Sequence, residues 1–156
     1  MGLEIERKYL VSESFEMDVT KSFPIAQGFL NTDPYRTVRV RISGEKGFLT
    51  VKGISSDSGT SRFEWEKEIS VTDAEALLLL CEPTVIKKTR HIVPISNDLF
   101  FEVDEFHNHN EGLIIAEIEL PHEDAAFDKP VWLGKEVTGD VRYYNSMLSK
   151  KPYCKW

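Results

Sequence analysis

Charges of one sign recur two residues apart along most of this chain. Glu4 and Glu6, Arg39 and Arg41, Glu64 with Glu66 and Glu68, Lys88 with Arg90, Glu102 with Asp104, and Glu117 with Glu119 all keep that spacing. Lys8 continues the first group with the opposite sign, and Lys52 follows Thr50 in a segment of its own. Apolar residues such as Ile5, Val40, Val51, Trp65 and Ile118 stand between them. Side chains two apart on a strand share a face, so each segment reads as a strand with one charged and one apolar side. A face selected for solubility alone would mix signs, because like charges side by side repel. Single-sign groups in strand after strand require something between the strands to neutralise them.

Turn signals at Asn31–Pro34, Ser43–Gly47, Ser55–Ser61, Ser96–Asp98 and Asn108–Gly112 divide the alternating stretches. Strands are predicted over 3–11, 25–31, 36–43, 47–53, 62–70, 84–93, 99–106 and 113–120. The fold class is mostly β (α+β): an eight-stranded antiparallel closed β-barrel with a charged lumen and a few peripheral helices, in a single domain over 1–156. Thr72–Asp73–Ala74–Glu75 has capping-box spacing and opens a helix that Pro83 ends. Asp140 is placed to cap a last helix over 141–150. A short turn of helix is expected after Pro121, and 15–22 reads as helix or loop. Trp65 and Trp132 are expected in an exterior core under the helices.

Composition narrows the function classes. The 156 residues carry 26 Asp+Glu against 19 Lys+Arg, a net charge of -7. That balance argues against a general nucleic-acid binder. The longest apolar run, Ala76–Cys81, is far short of a membrane span, and no secretory leader stands at the start, which points to a cytoplasmic protein. Cys81 and Cys154 form no metal or redox motif and read as reduced thiols. The acidic excess also argues against a polyanionic substrate, unless cations held by the carboxylates reverse the local sign. Carboxylates suit hard cations such as Mg²⁺ or Mn²⁺, while arginine offers bidentate donors to phosphate oxygens and lysine a point charge. Both sets in one lumen imply a substrate with several phosphate charges and a metal between.

The opening Glu4-Ile5-Glu6-Arg7-Lys8 resembles the Glu-x-Glu-x-Lys signature of the CYTH superfamily, the triphosphate tunnel metalloenzymes. The resemblance continues through Val38–Arg41, Thr50–Lys52, Arg62–Glu66, Lys88–Arg90, Glu102–Asp104, Glu117–Glu119 and Trp132–Asn145. It implies an eight-stranded tunnel barrel and metal-dependent hydrolysis of a triphosphate, most directly inorganic triphosphate. By the same resemblance Glu4, Glu6, Glu64, Glu66, Asp104, Glu117 and Glu119 bind metal. Lys8, Arg39, Arg41, Lys52, Lys88, Arg90 and Arg142 contact the triphosphate. Val141 and Tyr144 depart from what many members carry at those positions.

Phosphoryl transfer to water needs positioning and charge stabilisation more than covalent chemistry. Lys8, Lys52 and Lys88 are the catalytic candidates. Lys52 and Lys88, if they face each other, depress one another's pKa so that one can accept a proton, and Glu64 or Glu119 is an equal candidate for orienting the water. The same residues are compatible with a class IV adenylyl cyclase, with thiamine triphosphatase, or with a non-catalytic polyphosphate or nucleotide sensor. A purely structural barrel fits least, because buried like charges without a ligand are costly. A homodimer is compatible with the sequence. His107 and His109 read as solvated loop residues, His91 as outward-facing, and His122 as a helix start. Tyr143 and Tyr144 read as packing the last helix on the barrel, and 150–156 as a loose tail or an aromatic plug at one tunnel mouth.

Overall fold

The structure, a computed structural model, describes residues 2–96 and 98–156. Its strands are β1 (Gly2–Val11), β2 (Lys21–Asn31), β3 (Thr37–Ser43), β4 (Lys46–Ser55), β5 (Ser61–Ile69), β6 (Glu82–Pro94), β7 (Phe100–Phe106), β8 (Ile114–Glu119) and β9 (Leu133–Glu136). Eight of them close into an antiparallel barrel in the order β5-β4-β3-β2-β6-β7-β8-β1, with β1 pairing back to β5. Closure leaves the barrel without free edges. The ninth, β9, lies against the far half of β1, Tyr9 opposite Glu136 and Val11 opposite Leu133.

The period-two reading of the faces holds through the barrel. The outer apolar sides of β1, β6, β7 and β8 build one core from Tyr9, Val93, Phe101, Val103, Ala116 and Ile118, covered by Phe15 and Trp132. The helix α1 (Val71–Leu78) covers the outer side of β2, β3 and β4. It seats closely because Gly28 and Gly47 have no side chains: a Cβ at Gly28 would meet Cys81 at 2.8 Å, and one at Gly47 would meet Ala74 at 2.9 Å. A second core fills one end of the lumen, where Phe29, Ile86, Phe106 and Ile115 meet Val137, Tyr143 and Leu148. The C-terminal segment thus stops that end with apolar side chains.

Several expectations change in detail. β2 begins at Lys21 and carries Pro24 within it, so 15–22 is a single 3-10 turn at Glu16–Asp18 followed by strand. The cap of α1 is Ser70, whose hydroxyl accepts from the Asp73 amide at 3.0 Å, so the helix starts two residues earlier than the Thr72 box implies. No helix follows Pro121, where the chain is irregular until β9. The last helix is broken: Asp140 caps a 3-10 turn at Val141–Tyr143, Tyr144 turns extended with ψ 135°, and α2 (Asn145–Leu148) follows. Trp132 is buried in the outer core, whereas Trp65 is exposed on a part of β5 that no helix covers. The tail is ordered, with Trp156 edge-on to Tyr143 and Tyr153 at 5.1 Å each. No helix is long and apolar enough to cross a membrane among the described residues.

Candidate active site

Reading the lumen residues in the order of the strands divides the barrel wall in two. β7, β8, β1 and β5 are contiguous and contribute Glu102, Asp104, Glu117, Glu119, Glu4, Glu6, Glu64 and Glu66. β4, β3, β2 and β6 are also contiguous and contribute Lys52, Arg39, Arg41, Gln27, Lys88 and Arg90. An acidic arc therefore faces a basic arc across one cavity, of about 60 Å³, lined by residues of both together with Thr37, Thr50, Thr138 and Asn145. Lys8 on β1 and Arg62 on β5 are the cations of the acidic arc that line the cavity.

Ion pairs concentrate at the two seams where the arcs meet. At β4/β5, Lys52 Nζ lies 2.8 Å from Glu4 and 3.4 Å from Glu64, while Arg39 reaches Glu66 at 3.6 Å. At β6/β7, Arg90 grips Asp104 through Nε at 2.8 Å and Nη2 at 2.9 Å, and its Nη1 donates to Glu102 at 3.2 Å. Lys88 Nζ lies 2.7 Å from Asp104 and donates to Asn145 Oδ1 at 3.1 Å. Burial opposes ionisation of Asp104, but Arg90 and Lys88 hold it well below the usual carboxylate range. Glu117 is likewise buried, yet Lys8, at 3.7 Å, helps hold it down.

Glu6 and Glu119, inside the acidic arc, have no such partner among the described residues. Glu6 stands directly opposite Glu119, and Glu102 directly opposite Glu117, placements in which like charges destabilise a sheet. Burial, sharpened by Glu117 and Glu4, pushes the Glu6 carboxyl up to about 8. Burial also raises Glu4, aided by its hydrogen bond with Glu64 and against the pull of Lys52. Glu119 is raised by burial and by Glu4 and Glu102. Crowded oxygen donors with a raised proton affinity fit a hard divalent cation, which would supply the missing positive charge. Glu4, Glu6 and Glu119 are the residues so arranged, and Glu64 adds a further carboxylate beside Glu4. They stand as neighbouring pairs, and no group of three or more His, Cys, Asp or Glu side chains is gathered at ligating separation among the described residues. Glu66, Asp104 and Glu117 serve as counter-ions to cations of the cavity.

The basic arc has the converse deficit. Arg41, half-buried, has Gln27 Oε1 at 3.0 Å as its one polar partner among the described residues, and burial with Arg39 and Arg90 nearby pushes it down to about 9. Arg39 Nε is buried without a hydrogen-bond partner among the described residues. These donors are aimed at a space that an anion would fill. Lys88 is pushed down to about 7 by burial, with Arg90 and Arg41 adding to it against Asp104. The depressing neighbours are thus arginines. Lys52, expected to act on Lys88 in this way, is occupied by Glu4 and Glu64.

Arg142 is not brought to the cavity. Its side chain is 61% exposed, paired with Asp140 at 2.9 Å and lying over Tyr143 and Trp156, because the 3-10 turn points it outward. Arg62, Gln27, Thr50 and Asn145 were not assigned from sequence although all line or support the cavity. For Arg62 the signal was present: it lies two residues before Glu64 and hence on the lumen face.

Comparison with known proteins identifies the barrel. The CYTH domain model matches residues 2–151. The chain belongs to the CYTH family. A relative from Acetivibrio thermocellus, named inorganic triphosphatase, is 50% identical over 154 residues, covering 98% of this chain and 97% of the relative. A second of that name, from Nitrosomonas europaea, is 39% identical over 150 residues, covering 94% and 96%. The crystal structure of the inorganic triphosphatase NE1496 superposes with a TM-score of 0.67 at 36% identity, covering 96% of this chain and 95% of that one. The CYTH barrel is therefore the frame in which these two arcs are held.

Proposed function

We propose that this CYTH protein hydrolyses inorganic triphosphate to orthophosphate and pyrophosphate in a reaction dependent on Mg²⁺ or Mn²⁺. The observation that carries the reading is the basic arc facing the acidic arc across one buried cavity. The two relatives named inorganic triphosphatase, each matched over nearly its whole length, support the choice of substrate. A hard divalent cation, when bound, supplies charge neutralisation beside the phosphate oxygens. Glu4, Glu6, Glu64 and Glu119 are the side chains that would hold it.

The chain's own residues account for the rest. Arg39, Arg41, Lys52 and Arg90 offer donors along one wall, so a linear polyanion is oriented lengthwise and held against loss. Lys88 is buried beside Arg41 and Arg90 and has an amine whose proton is held loosely at neutral pH. It is the group suited to take a proton from the water that attacks a terminal phosphorus. The new P–O bond forms as the bridging P–O bond breaks, and the leaving pyrophosphate keeps the electron pair. Arg90 and Lys52 would offer N–H donors to its added charge. The two free thiols, Cys81 and Cys154, are consistent with a cytoplasmic setting.

The test is orthophosphate release from inorganic triphosphate, thiamine triphosphate and ATP, each with Mg²⁺ or Mn²⁺, with product identification. Inorganic triphosphate should turn over fastest and cyclic AMP should be absent. Lack of metal-dependent release from all three substrates overturns the reading. Lys88→Ala should lower kcat by about 10²–10⁴-fold, the range of general acid–base contributions.

A further inference from the structure

Two cavity cations are left over once the seams are accounted for, Arg41 on the basic arc and Arg62 on the acidic one. Lys52, Lys88, Arg39, Arg90 and Lys8 each have a carboxylate within 4.0 Å. Arg62 has none among the described residues, although Glu4 is its register partner on β1. Its guanidinium is held by neutral groups instead: Nε donates to the Gly53 carbonyl at 3.0 Å and Nη2 to Thr37 Oγ1 at 3.3 Å. A guanidinium carries five N–H donors, and these two bonds use two of them. The remaining N–H groups belong to the end of the side chain that lines the cavity.

Its orientation is fixed as well. Arg62 lies 5.7 Å from the centroid of the Tyr144 ring, and Lys8 Nζ lies 5.2 Å from the same ring. The ring is anchored by its hydroxyl, 3.1 Å from Ser55 Oγ. One aromatic side chain thus holds the two cations of the acidic arc together. Cations over a ring face are attracted to it, but the ring carries no net charge, so Lys8 keeps only Glu117 at 3.7 Å as a counter-ion and the charge of Arg62 is left uncompensated. Two cations gathered on a neutral shelf, one of them with no carboxylate, are arranged for an anion.

We propose that Arg62 is a substrate-binding residue which, with Lys8 and Tyr144, forms a phosphate subsite on the acidic side of the barrel, opposite the basic arc. The inference rests on the triphosphate reading and deepens it. The basic arc holds the polyanion along one wall, and Arg62 with Lys8 grips a phosphoryl group from the other. A short linear polyphosphate is thereby held from both walls at one point along its length. Because Arg62 has no carboxylate to give up, this subsite works before any divalent cation is bound.

The test is calorimetric titration of the full-length protein with inorganic triphosphate in EDTA, alongside the metal-dependent assay. Arg62→Gln should weaken metal-free binding tenfold or more and raise KM by a similar factor, and Arg62→Lys should recover part of the loss. Arg36→Gln, at an exposed site paired with Asp33, should change neither. A second measurement needs no variant: phenylglyoxal modification of the wild type followed by mass spectrometry. Triphosphate should slow labelling of Arg62 at least fivefold and leave Arg36 unchanged. Wild-type hydrolysis with Arg62→Gln binding within twofold, or unprotected labelling of Arg62, overturns the inference and leaves the triphosphatase reading standing. A wild type that neither binds nor hydrolyses triphosphate overturns both.

Discussion

Glu6 shows what the tunnel costs at the scale of one residue. Its carboxyl is raised from 4.5 to about 8 by burial and by Glu117 and Glu4. Below pH 4.5 it is protonated in both the folded and the unfolded chain and contributes nothing. Between 4.5 and 8 the unfolded chain releases the proton while the fold retains it, so stability falls as pH rises through that window. The loss is on the order of a few kcal/mol at its upper end. Glu6→Gln should therefore raise the denaturation midpoint of the EDTA-treated protein at pH 8 and flatten its dependence on pH between 5 and 8. An unchanged slope would show that Glu6 is not crowded in this way. The same variant should lose metal-dependent turnover, which makes Glu6 a position where stability is given up for function. Asp104 has the opposite sign: lowered by Arg90 and Lys88, it contributes stability above its unfolded value that is lost in acid.

At the scale of elements, the strands were legible because each lumen face carries charges at period two, while β9 and α2 were not. β9 has four residues and is set by its pairing with the end of β1, a tertiary constraint that leaves no local pattern. The Val141–Lys150 stretch has a cap and helical composition, but the extended turn at Tyr144 splits it. That turn sends Arg142 to solvent and starts α2 at Asn145 beside the cavity. Asn145 then becomes the link between helix and barrel, since its Oδ1 accepts from Lys88 Nζ at 3.1 Å and from Gln27 Nε2 at 2.8 Å. Gln27 in turn accepts from Arg41. Asn145→Leu removes an acceptor from two donors in the barrel wall, at about 1–3 kcal/mol for each one left unsatisfied. Denaturant unfolding should register that loss together with a fall in kcat, and Asn145→Asp should restore most of the stability. A Leu variant as stable as the wild type would mean that α2 is held by Leu148 and its apolar neighbours alone.

For the whole molecule, a net charge of -7 conceals two walls of opposite sign. Carboxylates on β7, β8, β1 and β5 outnumber the cations that reach them, so the folded chain contains an unmet demand for positive charge before any substrate arrives. A ligand that binds only the folded state stabilises it by RT ln(1 + [L]/Kd), about 2.7 kcal/mol at a concentration one hundred times Kd. For a domain of this size that corresponds to roughly 5–10 °C in Tm. Mg²⁺ or Mn²⁺ added to EDTA-treated protein should therefore raise Tm by several degrees in a saturable way. K⁺ at matched ionic strength should not, because screening acts weakly on buried groups. Combining Glu4→Gln with Glu64→Gln should abolish most of the rise, whereas Glu13→Gln, on an exposed segment, should leave it intact. The double variant also frees Lys52 from both of its carboxylates. Its affinity for triphosphate in EDTA should then increase even as turnover is lost, so binding and catalysis should move in opposite directions. A parallel loss of both would mean that the acidic arc supports the shape of the cavity and not its charge.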